Sequence, residues 1–197
     1  MIRYGKASVL LLAVFVACSG ETKESKGSAS TSTEAPRDVA AKADPLDACA
    51  LVTKADVDGA FAPRLFENGE KGRGDVAGTD RLAAVSGCTF TSRGATAKET
   101  MTVGIVVRRA PGDDAGVTVA GAKEGAVRLK TTPIDVPGLG DAAYWVNLGS
   151  STRPVIELNV FKGRRLWLIV SATGSKLDPE GAVADLSKLA ETALGRI

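Results

Sequence analysis

The chain contains no histidine among its 197 residues. Imidazole is the side chain that most often moves protons near neutral pH, activates serine and cysteine nucleophiles and ligates zinc. Its absence excludes Ser-His and Cys-His catalysis and leaves acid–base work to carboxylates, lysine or tyrosine. Aromatic residues are only 5% of the chain, so Phe61, Phe66, Phe90, Tyr144, Trp145, Phe161 and Trp167 should matter to its core. Excess charge of one sign is also lacking. The formal net charge of +2 is too small to argue for a nucleic-acid partner. No apolar run reaches the roughly 20 residues of a membrane-spanning helix. Cysteine is limited to Cys18, Cys49 and Cys88, and no Cys-x-x-Cys spacing is present to lower a thiol pKa.

The amino terminus carries the clearest positive signal. Arg3 and Lys6 precede a weakly polar-to-apolar run from Ala7 to Ala17, and a small residue then stands before Cys18. This is the layout of a secretory signal. Val16, Ala17 and Cys18 resemble the lipobox of bacterial lipoproteins, with Phe15 where leucine is commoner. That resemblance implies removal of residues 1–17, acylation of Cys18 and a membrane partner reached through the amino-terminal lipid. Ser19, in place of aspartate, implies the outer membrane in a cell that has one. Two or three acyl chains anchor stably, whereas one is marginal.

Residues 18–43 are rich in Ser, Thr, Lys, Glu and Ala and almost free of apolar side chains. Such a segment cannot bury enough surface to offset its ordering entropy, and a flexible polar tether is expected. Residues 44–197, about 150 in number, suffice for one domain with a real core. In an exported chain with Cys18 lipidated, Cys49 and Cys88 are most simply a disulfide. Buried free thiols and a reactive redox pair are the alternatives.

Leu46, Cys49, Leu51 and Val52 have the spacing of a helical turn. Thr53 then has N-cap character with Asp56 three residues on, which predicts a helix over 54–61 ending before Pro63, with Val57 and Phe61 inward. Residues 67–80, rich in glycine and charge, read as a mobile loop. Period-two alternation at Cys88–Phe90 and Met101–Val107 predicts strands. A weak helix is expected over 113–125, capped by Asp113 or Asp114 and interrupted by Gly116, Gly121 and Gly125. Val127–Leu129, Ala142–Asn147, Pro154–Val160 and Leu166–Ser171 read as strands, the last two joined as a hairpin at Lys162-Gly163-Arg164. Asp178-Pro179 opens a final helix whose apolar face is Val183, Leu186, Leu189, Ala190, Ala193 and Leu194. The pattern gives an α+β fold: one domain with an antiparallel sheet packed on one face by helices.

Three short motifs carry a family resemblance. Ala48-Cys49-Ala50-Leu51-Val52-Thr53-Lys54-Ala55-Asp56-Val57 resembles the C-x-L-L-T-x-x-E-V opening of a group of bacterial envelope lipoprotein domains. Gly87-Cys88-Thr89-Phe90 matches that group's second cysteine, and Gly138-Leu139-Gly140-Asp141-Ala142-Ala143-Tyr144 its GLGDxAY element. The chain departs at Ala48, where proline is frequent, and in the length of its 63–85 segment. The resemblance implies an envelope lipoprotein with an intramolecular disulfide, and it brings no catalytic residue.

The remaining chemistry-bearing residues have plain structural readings. Pro137–Asp141 lacks the following helix that a phosphate-binding loop needs and reads as a turn feeding a strand. Asp75, Asp80, Asp113 and Asp114 lack the alternating spacing of a calcium loop. Ser86, Ser150 and Ser151 sit in no nucleophile motif. Arg108, Arg109, Arg153, Lys162, Arg164 and Arg165 are either solvated strand ends or a patch for anionic glycan or lipid headgroups. Tyr144, Trp145 and Trp167 are core residues or the lining of an apolar ligand surface. No cofactor, metal site or catalytic residue is expected. The functional expectation is a lipid-anchored envelope module that binds a protein, cell-wall or small apolar ligand. A carboxylate-based enzyme or enzyme accessory and an extracytoplasmic ligand-sensing module are the alternatives.

Overall fold

A computed structural model describes residues 46–72, 84–92, 94, 99–113, 116–175 and 177–197. The residues read as signal (1–17) and as tether (18–43), with Cys18, and Asp75, Asp80 and Asp114 lie outside them. In order, the elements are α1 (Ala48–Leu51), α2 (Lys54–Ala60), β1 (Glu70–Lys71), β2 (Ala84–Ser92), β3 (Met101–Arg109), α3 (Val119–Arg128), β4 (Ile134–Asp135), β5 (Ala142–Asn147), β6 (Val155–Lys162), β7 (Leu166–Thr173) and α4 (Pro179–Leu194).

The strands form one seven-stranded sheet in the order β1-β2-β3-β7-β6-β5-β4. Every neighbouring pair is antiparallel. Alternation assigns each side chain to a face. Met101, Val103, Ile105 and Val107 of β3, Leu166, Leu168, Val170 and Ala172 of β7, and Ile156, Leu158 and Val160 of β6 point to the first face. There they pack against Ala48 and Leu51 of α1, Val57 of α2 and Ala182, Leu186, Leu189, Ala190 and Ala193 of α4. This is the expected α+β architecture. On the second face, Ala126 of α3 packs on Tyr144, Val146 and Phe161, with Val119, Ala122 and Trp167 at its margin.

The local signals at the helix ends act as expected. Thr53 and Asp56 form a reciprocal capping box, and Val57 and Phe61 are buried. Asp178 caps α4, accepting from the Gly181 amide at 2.8 Å, and Pro179 occupies the first turn, where no amide donor is needed. Three expectations are corrected. The central helix does not span 113–125 but Val119–Arg128, and its cap is Thr118, whose Oγ1 accepts from the Gly121 amide at 3.1 Å. Asp113 instead closes a turn, its carbonyl accepting from the Gly116 amide. Val127–Leu129 is the last turn and cap of that helix rather than a strand, because the Leu129 amide is held by the Gly125 and Ala126 carbonyls. Within the segment read as a loop, Glu70–Lys71 pairs with Cys88–Thr89. The two-residue β4 is too short to produce a period-two signal.

Candidate functional site

The candidate site is the second face of the sheet, where the register builds a row of flat side chains. Arg108 of β3 is directly opposite Trp167 of β7, and Trp167 is opposite Phe161 of β6. Tyr144 of β5 lies diagonally beyond Phe161, since its direct partner is Asn159. The Tyr144 and Phe161 centroids are 6.2 Å apart, and those of Phe161 and Trp167 5.7 Å apart with planes 13° from parallel. The Arg108 guanidinium carbon sits 5.0 Å from the Trp167 ring centroid. One face of the indole is therefore stacked on Phe161 and it also carries the Arg108 cation, an arrangement of the cation–π kind.

Asn159 lies beneath this row and is only 1% exposed. Its Oδ1 accepts from Trp167 Nε1 at 2.9 Å, and its Nδ2 donates to Glu157 Oε1 at 3.0 Å. A buried amide is tolerated here because both of its ends are used. Lys123 of α3 stands 5.8 Å above the Tyr144 ring and forms an ion pair with Asp135 of β4. Burial pushes the Tyr144 hydroxyl up to about 12, with the Glu157 carboxylate adding to the shift. That shift opposes the phenolate a tyrosine base would need.

The three candidates named from sequence do not share a surface. Tyr144 and Trp145 are consecutive in β5 and face opposite sides of the sheet. Trp145 packs against the helix-covered core, whereas Tyr144 and Trp167 belong to the α3 side. Sequence analysis missed Phe161, Asn159, Arg108 and Lys123 as members of this cluster. Strand parity alone separates Tyr144 from Trp145, but the cross-strand register is needed to join Arg108 to Trp167.

Beyond α3, the second face is lined by Thr89 and Gly87 of β2, Thr102, Gly104 and Val106 of β3, and Ile169, Ser171 and Thr173 of β7, by alternation from their partners. A Cβ on Gly104 would stand 2.8 Å from Ser171 Oγ, so glycine lets the two strands keep their side chains level. A separate cleft of about 220 Å³ opens where α2, β3 and α4 begin or end. Phe61, Arg64, Met101, Leu177, Asp178 and Asp185 are among its lining residues, and Tyr144, Trp145 and Trp167 are not. Arg64 donates to the Glu99 carbonyl at 3.2 Å, Asp178 caps α4, and Asp185 pairs with Lys188 at 2.9 Å.

The acids with shifted titration serve structural ends. Asp56 is held at about 2, first by Arg196, with the Thr53 amide and hydroxyl assisting. Asp58 is lowered by Lys54 and by the Phe66 amide, and Asp47, the cap of α1, by Lys71. Asp141 is lowered by the Gly163 amide and then by Lys162. The serines considered as nucleophiles are also placed structurally. Ser86 Oγ accepts from the Ala48 amide, and Ser150 Oγ accepts from the Arg153 amide within its turn. Among the described residues, no group of three His, Cys, Asp or Glu side chains is placed to hold a metal ion. No helix among them is long and apolar enough to cross a membrane. Cys49 and Cys88 form a disulfide that ties α1 to β2.

No protein-family model and no curated protein matches this chain. Among solved structures, it is similar to the extracellular domain of PknH from Mycobacterium tuberculosis. The TM-score is 0.51 at 14% sequence identity, over 77% of this chain and 98% of that one. The likeness is one of fold.

Proposed function

We propose that this chain is a lipid-anchored extracytoplasmic module of the bacterial envelope that binds a partner instead of catalysing a reaction. The Cys49–Cys88 bridge carries the reading, because such a cross-link persists in oxidising, extracytoplasmic compartments. The secretory layout of residues 1–17 and the lipobox-like approach to Cys18 agree with it. The extracellular neighbour of similar fold supports the same side of the membrane. The non-catalytic part rests on how the acids are used. Asp47, Asp56, Asp58, Asp141 and Asp178 are each engaged in a cap, a clasp or a turn.

The anchor is tested by labelled palmitate. Wild-type chain should incorporate label and fractionate with membranes, whereas Cys18→Ala should do neither. A Cys18→Ala chain that matures and sediments as the wild type does overturns the anchor. A second reading, ligand sensing, is favoured by the cleft of about 220 Å³ between Phe61 and Asp185. A small ligand seated there should protect the amides of Gly174, Ser175, Leu177, Asp178 and Gly181 from hydrogen exchange and leave those of β5 unchanged.

A further inference from the structure

Basic side chains gather at one end of this sheet. One end holds the start of β2, the end of β3 and the turn between β6 and β7. By register, Arg109 is opposite both Ala84 and Leu166, and Lys162 is opposite Leu166. Arg109, Lys162, Arg164 and Arg165 thus meet at one tip, with Arg108 one residue further in. Arg109 and Arg164 have no ion pair among the described residues. Arg165 donates Nε to the Ala110 carbonyl at 3.0 Å, a neutral partner that positions its charge without cancelling it. Arg108 Nε is buried and lacks a hydrogen-bond partner. Among the described residues, the acids placed near this tip are Asp141, paired with Lys162 at 3.2 Å, and Asp113, whose carbonyl accepts from the Gly116 amide; Gly116 in turn lies against the Arg164 carbonyl. The four basic residues of the tip outnumber these two carboxylates.

At the opposite end, the start of β3 and of α4 brings Glu99, Asp178, Asp185 and Arg64 around the cleft; Asp185 there pairs with Lys188, and Glu180 is exposed on the first turn of α4. Arg153 falls at this end as well, in the turn between β5 and β6. Arg153 is therefore apart from the basic group, and a single patch of all six residues is not formed. The chain enters the fold on the basic side. The Ala48 amide donates to Ser86 Oγ at 3.1 Å, and Ser86 is opposite Val107. That point is two residues, about 7 Å along the strand, from Arg109.

The geometry points to the Arg109–Arg164–Arg165 tip as a docking surface for an anionic lipid bilayer, with the opposite end of the sheet turned outward. A basic side chain near an anionic leaflet contributes about 1 kcal/mol, and the attraction fades beyond a Debye length. Three arginines therefore give about a hundredfold preference for anionic over neutral vesicles at low salt. Chain entry near the basic tip makes that orientation compatible with an amino-terminal anchor. The inference rests on the envelope reading only for the presence of a bilayer nearby.

The test uses the full chain carrying Cys18→Ala, so that no acyl group contributes. Partition is measured into phosphatidylcholine vesicles with and without 30% phosphatidylglycerol, which fixes the probe composition (about one lipid in three anionic). The ratio of the two should be about a hundredfold, should collapse in high salt, and should fall close to one in the Arg109→Gln, Arg164→Gln, Arg165→Gln triple variant. Arg164→Glu alone, at an exposed turn, should lower it more than tenfold, so the result does not depend on the Arg165 bond. Arg153→Gln, at the other end, should leave it unchanged. An equal partition into both vesicles, or an Arg153→Gln effect as large as that of Arg164→Glu, overturns the inference. So does tight capture by soluble polyphosphate without preference between vesicles, which assigns the tip to a polymer. Any of these outcomes leaves the palmitate result standing, and failed acylation leaves the vesicle ratio standing.

Discussion

Asp56 and Arg196 are 140 residues apart in the chain and form a two-pronged ion pair, with contacts of 2.6 Å and 3.1 Å. The same guanidinium donates to the Leu51 carbonyl at 2.8 Å, so the carboxy terminus is clasped to the end of α1 and the first turn of α2. Asp56 is held at about 2, well below the ordinary value of an aspartate. A carboxyl depressed in the folded state stabilises above its unfolded pKa, and that stability is lost as pH falls through the folded value. Arg196→Leu should therefore cost about 1 kcal/mol at pH 7, after discounting for the partial exposure of the arginine. The gap to wild type in urea unfolding should narrow between about pH 4 and pH 2. A gap that does not change over that window would show that the clasp acts through the Leu51 carbonyl alone.

The disulfide closes a loop of sequence separation 39. Chain entropy assigns about 4 kcal/mol to a loop of that size. α1 is only four residues long, and little besides this bridge and the Ala48–Ser86 bond fastens it to β2. Cys49→Ala with Cys88→Ala should lower stability by about 2–4 kcal/mol and expose the α1 amides to hydrogen exchange before those of β3. In alkylation without reductant, neither cysteine should be modified; modification of both contradicts the bridge.

The turn before β5 separates two glycines that look equivalent in sequence. Gly138 has φ +82° and open space around a built Cβ. Gly140 has φ +62°, and its Cβ would stand 2.6 Å from the Phe161 carbonyl oxygen. Gly138→Ala should cost about 1 kcal/mol for the left-handed backbone alone. Gly140→Ala should exceed 2 kcal/mol, since it adds a clash with main chain that cannot withdraw. Thermal unfolding of the two variants decides this, and equal losses would remove the close approach from the explanation.

Asn159 provides a polar test of the aromatic row. Asn159→Leu leaves the Trp167 indole N–H without its 2.9 Å acceptor and should cost about 2 kcal/mol. Adding Trp167→Phe removes the donor as well, so the double variant should lose clearly less than the sum of the single changes. Additive losses would mean that the bond contributes nothing.

Much of the fold was legible because its signals are local. The Thr53–Asp56 capping box, the Asp178-Pro179 start and the alternation in Met101–Val107 depend on neighbours within a few residues. The central helix was misplaced because glycines weaken its periodicity and two good cap residues, Asp113 and Thr118, compete within six positions. In the folded chain Thr118 is the cap, its Oγ1 accepting from the Gly121 amide. Asp141 shows the same limit. It reads as part of a turn, while its use, accepting from the Gly163 amide at 2.6 Å across 22 residues, depends on the β6–β7 hairpin folding back.

The sequence by itself determined the composition of the layers and the lack of imidazole chemistry, and it set the expectation of a secretory amino terminus, since these follow from residue type and short spacing. Tertiary structure alone decided which side chains meet. Sheet register stacks Arg108 on Trp167 and turns Trp145 to the other face. It also gathers Arg109, Arg164 and Arg165 at one end and sends Arg153 to the other. Pairing across an antiparallel sheet is non-local, and a shift of one residue would exchange its faces.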